Sequence, residues 1–328
     1  MQVMTRQFKD DQTLPLVVSP TPGVGLAAWA KENRTWIELQ LDNAGAVLFR
    51  GFGLNAPEQF EEVVQAISGE PLEYKERSSP RSKVLGNVYT STDYPPSYSI
   101  HLHNENSYSS SWPMKVFFFC QIASPSGGET PIADCRKILR RIPATIRERF
   151  RAKGIMYVRN FGQGPGLSWN TVFQTTDKAQ VERYCQQAGI EVEWMSGDRL
   201  RTRHRRPAIA THPHTGDQVW FNHGTFFHVT TLEPMIRDAL LSSYAMEDLP
   251  NNTYYGDGSP IEPAVMDELR NAYAAELVKF RWEAGDVLAL DNMLTSHGRA
   301  PYQGARKILV AMAEPHHGEQ EIPHAAAS

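Results

Sequence analysis

The segment "SIHLHNENSY", Ser99 to Tyr108, places His101, His103 and Glu105 at alternate positions. Successive side chains of a strand point to opposite faces, so these three would share one face. Two histidines and one carboxylate on one side of an ion are the donor set of mononuclear non-haem iron(II) oxygenase sites, which keep positions open for cosubstrate and oxygen. His103-Asn104-Glu105 supplies a histidine and a carboxylate two residues apart, so one strand or its end can offer both to one ion. His101 is the alternative ligand on that face, although a supporting or pocket role suits it better. The second histidine must come from a distant strand, and His297 in "DNMLTSHGRAPYQGARKILVAM" lies between two strand-like runs. Arg306 in the same segment opens an apolar strand, where a guanidinium can pair with a buried carboxylate in bidentate fashion. A further group, His212, His214, His223 and His228, lacks the compact spacing of a structural zinc site. Zinc binding and solvated histidines in a sheet-and-turn setting both account for it.

The elements that must position these residues are legible from periodicity and punctuation. "NAPEQFEEVVQAIS" has Asn55 as N-cap with Glu58 three residues on, and its Phe60, Val63, Val64 and Ile67 fall on one helical face. Residues 136–153, 177–188, 234–247 and 262–279 also read as helical. Between them "AVLFRGF", "KVFFFCQIA", "PAIATHP", "QVWFN", "GDVLALDN" and "KILVAMAE" are short, rich in Val, Phe and Ile, and bounded by Gly, Pro or Asn, which marks strands. Strands and helices do not alternate regularly, and no glycine-rich phosphate loop follows a strand, which argues against a doubly wound parallel sheet. A β-sandwich or barrel core with helices packed outside fits better. "YKERSSPRSK" (74–83) and "NFGQGPGLSWN" (160–170) read as long loops, candidates for lids over a site.

Bulk properties bound the function. The 328 residues suffice for one large domain or two ordinary ones, and no repeat or linker marks a boundary. Thirty-three basic against 37 acidic side chains leave a net charge of −4, so no nucleic-acid or polyanion partner is expected. "MQVMTRQFKDDQTLP" lacks the apolar centre of a secretion signal, and no run of about 18 apolar residues suggests a membrane span. Cys120, Cys135 and Cys185 make an odd count without CxxC spacing, as expected in a reducing cytoplasm.

Four segments, "YTSTDYPPSYSIHLHNENSY", "GGETPIAD", "HPHTGDQVWFN" and "HGRAPYQGARKILVAM", carry a resemblance. From about residue 45 to 314 the chain resembles the TauD/TfdA branch of the iron(II)/2-oxoglutarate-dependent dioxygenases, and most of all the syringomycin-type amino-acid hydroxylases of antibiotic and other natural-product pathways. The weight lies in four elements in order, with an arginine after the distal histidine, because H-x-E alone recurs by chance. The resemblance implies a mainly β fold with flanking helices around a double-stranded β-helix, or jelly roll. In one dioxygenase domain it implies a helical N-terminal part (about 1–80), a core (about 84–134 and 206–315) and a helical and loop insert (about 136–205). It implies Fe(II) on His103, Glu105 and His297, with 2-oxoglutarate as cosubstrate, its far carboxylate held by Thr130 of "GGET" and by Arg306. Related halogenases replace the carboxylate by a small residue that admits chloride, so Glu105 points to hydroxylation, with desaturation or cyclisation as the alternatives. A jelly-roll binding protein with a vestigial metal site is the remaining reading, and the intact triad with Thr130 and Arg306 argues against it.

Substrate recognition is less marked. Enzymes of this type that bind free acids keep a second arginine four residues after the cosubstrate arginine, a place held here by Val310. A substrate carboxylate must therefore be bound elsewhere, or be masked as a thioester on an acyl or peptidyl carrier domain. Asn104, Asn106, Tyr108 and Asn222 are candidate substrate contacts by adjacency to the ligands. "DRLRTRHRRPA" sets Arg199, Arg201, Arg203 and Arg205 at alternate positions, a basic stripe suited to an acidic carrier or a substrate carboxylate, although a solvated edge strand is the preferred reading.

Overall fold

The apolar run Val116–Cys120 belongs to a 12-residue strand, Ser111–Ile122, near the middle of an eight-stranded sheet. In a computed structural model describing residues 3–9, 12–73, 81–92, 94–162 and 166–318, that sheet runs in the order Val3–Lys9, Gln12–Pro20, Ala46–Phe49, Val287–Asp291, Ser111–Ile122, Lys307–His317, Val88–Thr90, Lys83–Leu85. Its pairings are antiparallel except between Gln12–Pro20 and Ala46–Phe49. Alternation splits the central strands between two cores. Phe117, Phe119, Val287, Ala289 and Leu309 pack against helices Leu26–Glu32, Arg34–Ala44 and Pro57–Ser68 through Trp29, Ile37, Leu41, Phe60 and Val64. Val116, Phe118, Leu288, Leu290, Ile308 and Val310 face the other way, onto Ile132, Val278, Phe280 and Trp282. Both faces are covered, which is why these strands read as unbroken apolar runs; each large side chain buried contributes about 1.5–3 kcal/mol.

Ile132 joins that second core to a three-stranded sheet ordered Ile100–His103, Thr295–Arg299, Ile132–Asp134. A separate four-stranded sheet, ordered Ile190–Met195, Arg199–Arg206, Ile155–Phe161, Asn251–Tyr255, flanks it through Tyr157, Tyr108 and Leu102 in a shared apolar cluster. None of the described helices is long and apolar enough to cross a membrane.

Several expectations shift. The helix after Asn55 is Pro57–Ser68; Gln59 Oε1, not Glu58, accepts from the backbone N–H groups of Asn55 and Ala56. Residues 136–153 form two helices, Cys135–Arg141 and Ala144–Lys153, because Pro143 has no N–H to donate and biases Ile142 to extended backbone. The N-terminal part holds three helices but also the hairpin Val3–Lys9 with Gln12–Pro20, whose two prolines obscure its strand pattern. The insert is not only helix and loop, since it supplies three strands of the four-stranded sheet.

The arginine stripe is also corrected. Arg199–Arg206 is an interior strand, paired on both sides. Glu191 and Glu193 of the neighbouring strand stand opposite Arg203 and Arg201. Arg203 reaches Glu193 at 2.9 Å, Arg205 reaches Glu191 at 3.6 Å, and Arg201 pairs with Asp248 and Asn160. Ion pairs within the fold thus offset much of the stripe's charge, and the strand is not an edge.

Candidate active site

His103 ends the strand Ile100–His103 and stands directly opposite His297 on Thr295–Arg299, with ring centroids 4.6 Å apart. Directly opposed residues of antiparallel strands share a face, which makes one site from two distant segments. The ladder beyond them is irregular: Arg299 pairs with Ile100, so two steps on one strand match three on the other. This bulge breaks the alternation. His101 therefore turns into a separate cavity beside Thr231, Arg270 and Tyr273, correcting the shared face expected from its spacing. Gly298 permits the close approach, since a Cβ there would lie 2.5 Å from the Ile100 carbonyl oxygen. His101 contributes its backbone instead, its carbonyl accepting a 2.8 Å hydrogen bond from His103 Nδ1. With the proton assigned to Nδ1, Nε2 is left for a cation. Burial pushes His103 below the usual histidine range and His297 well below it, so both rings stay neutral, the form that ligates.

Glu105 lies in the turn after His103, and its backbone is clamped from across the fold. Asn292 Oδ1 accepts from Glu105 N–H at 2.8 Å, while Asn292 Nδ2 donates to the carbonyls of Glu105 and Pro113 at 2.9 Å each. One ligand atom each from His103, Glu105 and His297 lies within 4.8 Å of the others. Two neutral imidazoles and one carboxylate converging in a buried space suit a divalent cation.

A third charged group meets this set. Arg81 Nη2 lies 2.7 Å from Glu105 Oε2, both side chains at least 95% buried. Arg81 escapes sequence reasoning because it lies in the polar stretch read as a lid, of which residues 74–80 lie outside the described residues. Removing one partner of a buried ion pair costs about 3–5 kcal/mol, since the other charge is left uncompensated. Metal-free Arg81→Met should accordingly lose about that much stability in thermal or denaturant unfolding. Added Mn(II) should restore it by neutralising Glu105. A variant as stable as the parent without metal would show that the pair carries no net energy.

Thr130 and Arg306 open onto the same cavity as Arg81, His103 and His297. Arg306 Nε donates to the Gly128 carbonyl at 2.9 Å, which aims the rest of the guanidinium into the cavity's end. A Cβ at Gly128 (φ +76°) would stand 3.0 Å from Arg306 Cδ, so the double glycine of "GGET" gives this arm its room. Burial first, and the Arg299 cation second, pull Arg306 down to about 10, and among the described residues no carboxylate forms an ion pair with it. Thr130 Oγ1 accepts from Trp282 Nε1 at 3.1 Å, leaving its own O–H to donate. A cation and a hydroxyl donor at the end of a buried cavity fit a carboxylate. Arg299, two residues beyond His297, is spent otherwise: its nitrogens donate to the carbonyls of Tyr94, Pro95 and Tyr98 at 2.7–2.9 Å and pin that loop.

The remaining candidates disperse. Asn104 is fully buried and donates to the Asn292 carbonyl at 2.6 Å. Asn222 is equally enclosed, bonded to the Ala208 carbonyl and the Gly224 N–H, so both amides hold backbone. Asn106 takes a left-handed turn conformation (φ 54°) beside Glu105. Tyr108 packs its ring 5.1 Å from that of His223, itself 5.4 Å from His103. The group of four histidines separates. His223 joins the active-site wall, with Nδ1 3.1 Å from Ser107 Oγ, and His228 bonds Thr230. His212 lies within ligating range of Asp42 and Asp291, yet its Nε2 is 3.0 Å from Asp291 and its Nδ1 accepts from the Thr215 N–H at 3.1 Å. Both ring nitrogens are thus used in holding the loop.

The family model of the taurine catabolism dioxygenases, TauD/TfdA, matches residues 10–312. The dapdiamide synthesis protein DdaC of Enterobacter agglomerans is 43% identical over 286 residues, covering 87% of each chain. The clavaminate synthase-like protein At3g21360 of Arabidopsis thaliana is 29% identical over 329 residues, 93% of this chain and 95% of its own. Among solved structures, PvcB of Pseudomonas aeruginosa superposes with a TM-score of 0.58 at 15% identity, over 95% of this chain and 91% of its own. PvcB is an Fe, α-ketoglutarate-dependent oxygenase from an isonitrile synthetic pathway.

Proposed function

This chain belongs to the TauD/TfdA family of dioxygenases, and on that premise we propose that it is an iron(II)- and 2-oxoglutarate-dependent hydroxylase of an unactivated C–H bond in an amino acid or amino-acid-derived substrate. One observation carries the reading: His103, Glu105 and His297 each bring a ligand atom within 4.8 Å of the others, and His103 and His297 line the cavity that Thr130 and Arg306 also line. The first three would hold Fe(II), and the last two the far carboxylate of 2-oxoglutarate. When bound, iron and 2-oxoglutarate together with oxygen supply the oxidising power, the cosubstrate leaving as succinate and carbon dioxide. The chain's own residues orient and exclude water. The His101 carbonyl fixes the His103 ring, Asn292 fixes the Glu105 backbone, and Phe118, with its ring 5.1 Å from His297, keeps one flank apolar. Eight-stranded and three-stranded sheets flanking one apolar core are the arrangement expected of a double-stranded β-helix, with the ligands on its smaller sheet. The dapdiamide relative supports a place in natural-product biosynthesis.

Two arguments favoured a carrier-borne substrate, Val310 and the arginine stripe. The stripe is consumed by ion pairs, and Val310 is buried between Tyr89 and Phe118 on the neighbouring strands. Only the missing cation at Val310 still supports the tethered form. Anaerobic addition of Fe(II) and then 2-oxoglutarate should produce a visible metal-to-ligand charge-transfer band, and a substrate amino acid should shift it. Hydroxylated product should then form on exposure to oxygen. A protein that binds Fe(II) but gives no band with 2-oxoglutarate would defeat the assignment.

A further inference from the structure

Among the described residues, Arg159 is a cation that the site's geometry leaves without a task. It lies on the strand Ile155–Phe161, on the face that also carries Tyr157 and Phe161. It is half-buried, its Nε is enclosed without a hydrogen-bond partner, and among the described residues no carboxylate pairs with it. Its guanidinium lies 5.5 Å from the ring centre of Tyr108 and 4.9 Å from that of Phe161. Aromatic faces attract the cation but accept no in-plane N–H bonds. The edge of the guanidinium therefore stays open in a partly desolvated cavity, where an anion would be bound strongly. The position relative to the metal ligands is the second observation. The Tyr108 ring packs on His223, which packs on His103, so one wall runs from the candidate iron site to Arg159.

We propose that Arg159, framed by Tyr108 and Phe161, is the subsite that binds the carboxylate of the substrate. It supplies from the four-stranded sheet the charge that Val310 does not supply from the large one. The inference rests on the hydroxylase reading of the neighbouring site and narrows it to a substrate presented with a free carboxylate. Arginine suits the task because its fork matches a planar carboxylate, and the two rings fix its plane before the ligand arrives.

The test uses the full chain loaded anaerobically with Fe(II) and 2-oxoglutarate. The probes are the protein amino acids and their N-acetyl derivatives, each as free acid and as primary amide. Binding is read from the shift of the charge-transfer band. At least one acid should bind about tenfold or more tightly than its amide, a difference of about 1.4 kcal/mol. Arg159→Met should abolish that preference while leaving 2-oxoglutarate binding unchanged, and Arg159→Lys should recover part of it. A merely structural arginine would affect unfolding and leave the acid-to-amide ratio alone. A band in the loaded wild type with no acid preferred over its amide overturns the subsite and spares the hydroxylase reading. An Arg159→Met protein that keeps the wild-type preference does the same. No band at all overturns both.

Discussion

His103→Ala, Glu105→Ala and His297→Ala are each expected to abolish iron-dependent turnover, whereas His101→Ala should retain it. The three are the groups whose ligand atoms gather within 4.8 Å, and His101 acts on His103 through a backbone carbonyl that alanine preserves. Loss of an outer partner of a metal ligand costs about 10–100-fold in affinity, so loss of a ligand itself should exceed that. Iron titration followed by product assay measures both effects. The variants differ in stability. Glu105→Ala leaves Arg81 buried against an empty space and should unfold more easily by about 3 kcal/mol or more. Glu105→Gln keeps an oxygen for Arg81 and lacks only the charge, so it separates lost metal binding from lost folding. Turnover surviving in His103→Ala and vanishing in His101→Ala would assign the ligand to the other histidine.

Arg306→Ala should raise the 2-oxoglutarate requirement steeply while Fe(II) binding stays close to that of the parent. A charge-assisted bidentate contact contributes about 1.5–3 kcal/mol, or roughly 10–150-fold in the dissociation constant. Arg306 already sits desolvated next to Arg299, so the anion relieves a strained charge as well as forming bonds. Thr130→Ala should cost about 1 kcal/mol, since it removes one neutral donor and leaves the Trp282 N–H without its acceptor. The quantity to measure is the 2-oxoglutarate concentration at half-maximal charge-transfer absorbance at fixed iron. Unchanged affinity in Arg306→Ala would move the cosubstrate carboxylate elsewhere in the cavity.

Local chemistry was readable before any fold was known. His103 and Glu105 are two residues apart, so their joint use needs only a strand end, and the continuous apolar runs "KVFFFC" and "KILVAM" announce strands covered on both faces. Four motifs in order tied His297 and Arg306 to them. The helix Lys178–Ala188 was equally local, and it stands where residues 177–188 read as helical. What depended on neighbours was not readable. The bulge that separates His101 from His103 arises from how Ile100–His103 pairs with Thr295–Arg299, and period-two reasoning assumes a regular ladder. The stripe from Arg199 to Arg205 looked open because its acids lie on another strand and in a distant turn. Arg81, Asn292 and Arg159 carry no motif. Each matters through one partner or one cavity brought close by the packing of sheets, as when Arg81 meets Glu105 at 2.7 Å. Residue type and spacing determine which groups are chemically able to act. Tertiary contact decides which remain available, because a charge or amide already paired inside the fold has little free energy left to give a ligand.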